Sequence, residues 1–165
     1  MSKKPARQQP LEARSNARLA AVQALYQMDL TGQGARDIVK EFELFRLEQA
    51  LDGETLRAID MGWFDGIVSG VVTHQRAIDQ AIDDALKVGW PLARIDVTLR
   101  AVLRAGVFEL MQRPEVPVRV ALSEYVEVAK AFFGGDEPRL ANGVLDHIAR
   151  DVRPDDFAVT AGNGD

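Results

Sequence analysis

Apolar residues recur at helical spacing along nearly the whole chain, and no stretch alternates apolar and polar positions as a half-buried strand does. This pattern predicts an all-α protein of about seven helices. Glycines and prolines lie where the apolar periods stop, which is typical of helix ends. The helices are expected over about 13–30, 35–47, 60–86 with a break near 73–75, 93–111 and 118–133, with a linker at 52–54 and a last helix from about 138.

Helical spacing also predicts which side chains share a face. Ile38, Phe42 and Phe45 are expected on one apolar face of the second helix. Arg14 and Arg18 are four residues apart in the first helix, so we expect them one above the other on the same side.

Two further contacts are predicted near the middle of the chain. Gly62, Gly66 and Gly70 stack at four-residue intervals, which predicts a flat seam that another helix backbone approaches closely. Asp96 and Arg100 are spaced for an ion pair along the fifth helix, worth a few tenths of a kcal/mol.

The chain divides into a helical body and two polar ends. The segment VGWPLARID interrupts the helical pattern, so we expect two small helical subdomains, about 14–88 and 89–153. Residues 1–13 are expected to form a flexible basic arm, and residues 154–165 a disordered tail.

The last helix contains an Asn-Gly pair, which elsewhere marks a tight turn. Asp136 is placed to cap this helix and Pro138 suits its first turn, so helix is favoured over turn. A helical wheel places Asn142 and Gly143 on the polar face. Two interpretations stay open, a binding surface that is approached closely and a gap filled by a neighbouring helix.

Charge is unevenly distributed along the 165 residues. The net charge is −5, but residues 1–18 hold five cations and one carboxylate, so this segment carries +4 and the rest −9. A basic arm on an acidic body can place cations on a phosphate backbone, or it can be a solvated tail, and charge alone favours neither.

Composition argues against catalysis and metal binding. The chain has no cysteine, which excludes disulfides and thiolate zinc sites, and its two histidines, His74 and His147, lie in no recognised nucleophile arrangement. No Walker loop, GxGxxG or HExxH motif is present. We therefore predict a non-enzymatic protein without cofactor or metal. With no signal peptide or membrane-spanning run, we expect it in the cytoplasm.

Three segments together resemble the NusB family of transcription antitermination factors. They are ARLAAVQALYQMDLTG, LRAVLRAGVFELMQRPEVPVRVALSEYVEVAKAFFG and RLANGVLDHIAR, in this order, and the resemblance covers about residues 14–153. It implies an all-α fold of two subdomains that binds boxA RNA together with NusE, a small-subunit ribosomal protein. It also implies action with other Nus factors on RNA polymerase, so that transcription of ribosomal RNA operons continues past terminators.

The resemblance implies which residues face the RNA. In the family an arginine-rich amino terminus and the first helix do so, although Ser15 and Asn16 stand here where further arginines often occur. Tyr26 matches the family's ALY motif, and an RNA contact and a core aromatic are both open for it. Leu140 replaces the phenylalanine of the family's FVNG motif, which could stack on a base. The implied RNA-binding residues are Lys3, Lys4, Arg7, Arg14, Arg18, Tyr26, Asp136, Arg139, Asn142 and Gly143.

Leu99 and Arg100 are implied to face NusE, with Leu99 in place of an acidic residue common in the family. Two other classes of function are weighed. One is the NusB-like module of a ribosomal RNA methyltransferase, which we do not expect because the chain ends at Asp165 without a methyl-donor loop. The other is a protein-binding adaptor or a homodimer that covers its own RNA face.

Overall fold

The protein folds into seven long helices and one helical turn within residues 8–87 and 95–157, the part that the computed structural model describes. These ranges contain no strand, so the prediction of an all-α fold is confirmed. The turn covers 154–157. The helices are α1 (Gln8–Thr31), α2 (Ala35–Leu51), α3 (Met61–Thr73), α4 (Gln75–Lys87), α5 (Val97–Gln112), α6 (Val118–Phe132) and α7 (Glu137–Val152).

Helix α5 lies at the centre of the fold. Its sequence VTLRAVLRAGVFELMQ is apolar on most sides, which is typical of a helix enclosed by others. It packs against α1, α3, α4, α6 and α7, and a continuous run from Ala105 to Leu110 is buried. Buried residues from both predicted halves of the chain join one core cluster around it.

The glycine seam of α3 receives side chains rather than a helix backbone. A Cβ atom at Gly70 would overlap the ring of Phe108, and one at Gly66 would lie 3.2 Å from Nη2 of Arg113. A Cβ atom at Gly62 would meet only a carboxylate oxygen of the preceding turn, at 3.5 Å. The seam therefore permits a close approach of α5 at Gly70, and the atoms that come nearest belong to the ring of Phe108.

Both ends of the helical region extend further than predicted. Helix α1 begins at Gln8 rather than near Ala13, so it takes in the second half of the expected arm. Residues 154–157 form a helical turn where a disordered tail was expected. Phe157 packs partly on the core, and its ring centre lies 4.5 Å from the guanidinium carbon of Arg150.

Helix α5 begins with a side-chain cap. Oδ1 of Asp96 accepts a hydrogen bond from the backbone N–H of Leu99 at 2.7 Å. Arg100 does not make the predicted pair with Asp96, and its Nη1 lies 3.8 Å from Oδ1 of Asp83 on α4. Residues 88–94, which hold the expected boundary between subdomains, lie outside the described part of the chain.

Helix α2 is packed on one narrow side only. Ile38 and Val39 are buried, and the ring of Phe42 stacks on Phe64 with 4.4 Å between centroids. Ile38, Phe42 and Phe45 do lie on one side of α2, as predicted, but Phe45 is 56% exposed. Among the described helices, none covers this edge of α2.

Candidate nucleic-acid interface

A polar groove of about 610 Å³ lies between α6 and α7. Because residues three and four apart share a helix face, α6 and α7 each present a short row of side chains to it. Three residues predicted to bind RNA, Asp136, Arg139 and Asn142, meet here. We call this the α6–α7 groove, and it is lined by Ser123, Val126, Glu127, Lys130, Phe133, Gly134, Gly135, Asp136, Pro138, Arg139 and Asn142.

The start of α7 leaves its polar groups available. Pro138 lies in the first turn, as predicted, and the chain is helical through Asn142 and Gly143, so the prediction of helix over turn is confirmed. Asp136 occupies the cap position, but its side chain makes no capping hydrogen bond, so the predicted cap was wrong. Asp136, Arg139 and Asn142 are exposed, while Gly143 is half-buried. Carboxylate, guanidinium and amide groups therefore all face solvent along one groove.

The charges of the groove nearly cancel. Nζ of Lys130 lies 3.1 Å from Oε1 of Glu127, and both side chains are exposed. Arg139 and Asp136 add one further charge of each sign. The groove offers hydrogen-bonding groups rather than a strong positive field.

Sequence reasoning missed Lys130 and Phe133. Neither stands in the Asn-Gly segment, and only the packing of α6 against α7 brings them to Arg139. The Gly-Gly pair directly after Phe133 was a usable signal, since it ends α6 and turns the chain back toward α7.

One side of α1 faces α6. The hydroxyl of Ser15 donates to Oε1 of Glu124 at 2.8 Å. Tyr26 lies eleven residues later, which at 100° per residue returns it to within about 20° of Ser15 around α1. Tyr26 is 38% exposed, so the core-aromatic interpretation is wrong and its ring is accessible on this side.

Arg18 is a buried structural residue. Its side chain is 2% exposed, and its Nε and Nη2 donate to the carboxylate of Glu109 at 2.7 and 2.9 Å. Its Nη1 lies 3.2 Å from Glu124, and the hydroxyl of Tyr125 donates to the same Glu109 carboxylate. Burial alone lowers the pKa of Arg18, but the hydrogen bonds and charge of Glu109 outweigh it and raise the pKa. Arg18 is therefore enclosed in the fold, which corrects its assignment to the RNA face.

Arg14 lies against α3 instead of the α6–α7 groove. Its guanidinium carbon is 3.8 Å from the ring centroid of Trp63, and Arg113 approaches the same ring at 5.6 Å. Arg18 is also near this ring, at 5.7 Å, so the two arginines of α1 do share a side. The cations predicted at positions 3, 4 and 7 lie outside the described residues.

The two residues expected to face a protein partner differ in burial. Leu99 is 1% exposed and belongs to the core, so its side chain is closed to a partner, which corrects that assignment. Arg100 is 31% exposed and stands beside Asp83 of α4, which is 49% exposed. An accessible charged surface therefore exists at Arg100, and it includes a carboxylate that sequence reasoning did not single out.

Across 8–87 and 95–157, histidine and carboxylate side chains nowhere gather in groups of three or more that could hold a metal ion. Within the same ranges, every helix is too short or too polar to cross a membrane.

Comparison with known proteins decides the family. A family model described as NusB family matches residues 15–150. The chain belongs to the NusB family. Relatives named transcription antitermination protein NusB include that of Sinorhizobium fredii (strain NBRC 101917 / NGR234), which is 57% identical over 148 residues, 88% of this chain and 92% of the relative. Another relative of the same name, from Rhizobium etli (strain CIAT 652), is 58% identical over 140 residues. The match covers 85% of this chain and 88% of the relative.

Solved structures of NusB proteins share the fold. T. maritima NusB superposes with a TM-score of 0.67 at 26% identity, over 95% of this chain and 99% of that one. The solution structure of NusB from Aquifex aeolicus superposes with a TM-score of 0.64 at 28% sequence identity. The match covers 84% of this chain and 89% of that one. The NusB family consists of transcription antitermination proteins, so family membership confirms the resemblance and the prediction of a non-enzymatic protein.

Proposed function

We propose that this member of the NusB family binds boxA-type single-stranded RNA together with NusE in the cytoplasm. With other Nus factors it then keeps RNA polymerase transcribing through ribosomal RNA operons. The observation that carries this proposal is the meeting of Asp136, Arg139 and Asn142 in the α6–α7 groove.

The groove has the chemistry that unpaired RNA needs. Arg139 and Lys130 can each contact a phosphate, and the amide of Asn142 offers a donor and an acceptor to a base edge. Single-stranded RNA is also held by stacking on aromatic rings. Leu140 cannot stack, but the ring of Phe133 lines this groove and supplies an aromatic surface.

The weak attraction of this chain for RNA phosphates accounts for the role of a second protein in RNA binding. The whole chain carries a net charge of −5, so it attracts a polyanion weakly by itself. A basic partner such as a ribosomal protein adds the missing cations and raises affinity. We place that partner at the accessible surface of Arg100 and Asp83.

Titration of fluorescent boxA RNA, with and without NusE, tests the proposal. We expect Arg139→Ala and Asn142→Ala each to weaken binding about fivefold to tenfold, because each removes a contact worth about 1 kcal/mol or more. Arg119→Ala is the matched control, since Arg119 is exposed on α6 and lies outside the groove. Equal losses in all three variants, or no gain in affinity from NusE, would contradict the proposal.

A further inference from the structure

Helix α2 exposes an unusual amount of apolar side chain. Leu44 is 54% exposed, Phe45 56%, Leu47 55% and Leu51 78%. All four lie on one 17-residue helix, whereas a soluble protein usually scatters exposed apolar residues singly. Exposed apolar side chains concentrated on one helix are typical of a protein-binding surface.

A groove of about 820 Å³ runs beside this patch, between α1 and α2. Its floor is formed by small and buried residues, Ala20 and Ala24 of α1 with Ile38 of α2, and Leu44 and Phe45 form its wall. Because alanine side chains are short, the backbone of a third helix can approach α1 closely. We call this the α1–α2 groove.

The groove continues along α1 past Phe45. Its second section is lined by Asn16, Leu19 and Ile59, among others. From Asn16 to Gln27, at the two ends of the lining, α1 advances about 16 Å at 1.5 Å per residue. That length accommodates about three turns of a docked helix.

Carboxylates are interleaved with the apolar residues of α2. At 100° per residue, Glu48 and Glu41 lie between Leu44 and Phe45 around the helix. Asp37 also lines the α1–α2 groove. The larger section of the groove therefore holds these three carboxylates and one cation, Lys40. The apolar wall is therefore acidic as well.

We propose that the α1–α2 groove binds an amphipathic helix of a partner protein whose apolar residues are interspersed with lysine and arginine. Such a helix covers Leu44 and Phe45 and neutralises Glu41 and Glu48. A second copy of this chain is a poorer occupant, because pairing α2 with α2 places these carboxylates against one another. The site lies apart from the α6–α7 groove and does not depend on the RNA-binding proposal.

A synthetic helix tests this directly with the full-length protein. The probe is a labelled peptide of about 18 residues with leucines at every third and fourth position and lysines on both sides of them. Fluorescence anisotropy should show saturable binding of the peptide to the wild type. The Phe45→Gln variant lacks an apolar anchor and should bind the peptide at least about tenfold more weakly. Leu30→Gln is the control, because Leu30 is 61% exposed but lies outside the groove.

Charge is tested by a second matched pair. Glu48→Lys should weaken binding of the lysine peptide severalfold and improve binding of a peptide with glutamates in place of the lysines. Glu43→Lys makes the same charge change on α2 outside the groove lining and should have little effect. Circular dichroism melting checks that each variant is folded.

Three results would overturn the proposal. They are no binding of the lysine peptide, equal binding of the two peptides, and a dimer in sedimentation that Phe45→Gln dissociates. The last would assign the groove to a second copy of the chain.

Discussion

Arg14 and Arg18 stand one turn apart on α1, yet their surroundings give them different roles. Arg14 lies over the ring of Trp63 and is half-buried, whereas Arg18 is enclosed with Glu109 and Tyr125. Removing one member of a buried ion pair leaves the other charge without a partner, which is strongly destabilising. Arg18 therefore acts on the fold, and any effect on RNA binding passes through stability.

Tyr125 gives this buried cluster a measurable pH dependence. Burial, followed by the negative charge of Glu109, raises the pKa of Tyr125 well above its ordinary value. The folded protein thus holds the phenol proton more tightly than the unfolded chain. Its contribution to stability is complete below the ordinary pKa of about 10 and is lost as the pH rises from there through the folded-state pKa.

We expect Tyr125→Phe to reduce this loss of stability at alkaline pH. The measurement is the free energy of unfolding in urea between neutral pH and about pH 11, for wild type and variant. Tyr26→Phe is the control, because Tyr26 is the other tyrosine of the chain and is exposed. The same alkaline slope in wild type and Tyr125→Phe would contradict this assignment.

At the scale of elements, the centre of the molecule is fixed by how closely α3 and α5 approach. The ring of Phe108 lies where a Cβ atom of residue 70 would be, so these helices can pack this closely only if that residue is glycine. Arg104 of α5 adds a polar connection, since it donates to Asp79 of α4 at 2.8 Å and to Asp29 of α1 at 3.0 Å. Tight packing and charge together hold α1, α3 and α4 around α5.

We expect Gly70→Ala to destabilise the protein by about 1 to 2 kcal/mol. Alanine favours the helix by about 1 kcal/mol, but overlap with Phe108 forces a shift in a packed core and costs more. Gly62→Ala makes the same substitution in the same helix, at an exposed position where the nearest atom is 3.5 Å away. It should leave stability unchanged or slightly increase it. Urea denaturation compares the two, and equal effects would contradict the close-packing explanation.

At the scale of the whole molecule, the charge of the chain and the proposed RNA face do not match. The described helices form a largely acidic body, and the α6–α7 groove is close to neutral. Lys3, Lys4 and Arg7 precede α1 in the sequence, and we propose that they contact RNA phosphates. Such contacts release counterions and make binding depend on salt.

We expect deletion of residues 2–7 to flatten the salt dependence of boxA binding. Three lost phosphate contacts reduce the slope of log affinity against log salt by about 2, at roughly 0.7 per contact on a single strand. The control replaces three exposed cations elsewhere, Arg36, Arg76 and Arg119, with glutamine. If both proteins show the same slope as the wild type, the segment makes no phosphate contact.

The sequence by itself determined the helices. Their apolar period, with glycines and prolines at its ends, indicated all seven, because helical spacing and chain breaks are local properties. The break at His74 and the Asn-Gly pair inside α7 were predicted for the same reason. The start of α1 was placed too late, since residues 8–13 carry no regular apolar face that would signal a helix.

Only the tertiary structure decided which side of each helix is covered. The spacing of Arg14 and Arg18 was visible in the sequence, but Glu109, the partner that encloses Arg18, is 91 residues away. Leu99 is closed to a protein partner because the helices around α5 enclose it, and Phe45 is exposed because none of the described helices covers it. The α6–α7 groove likewise exists only where two helices meet. Local pattern sets where a helix lies in the chain, whereas burial depends on contacts between residues that are distant in sequence.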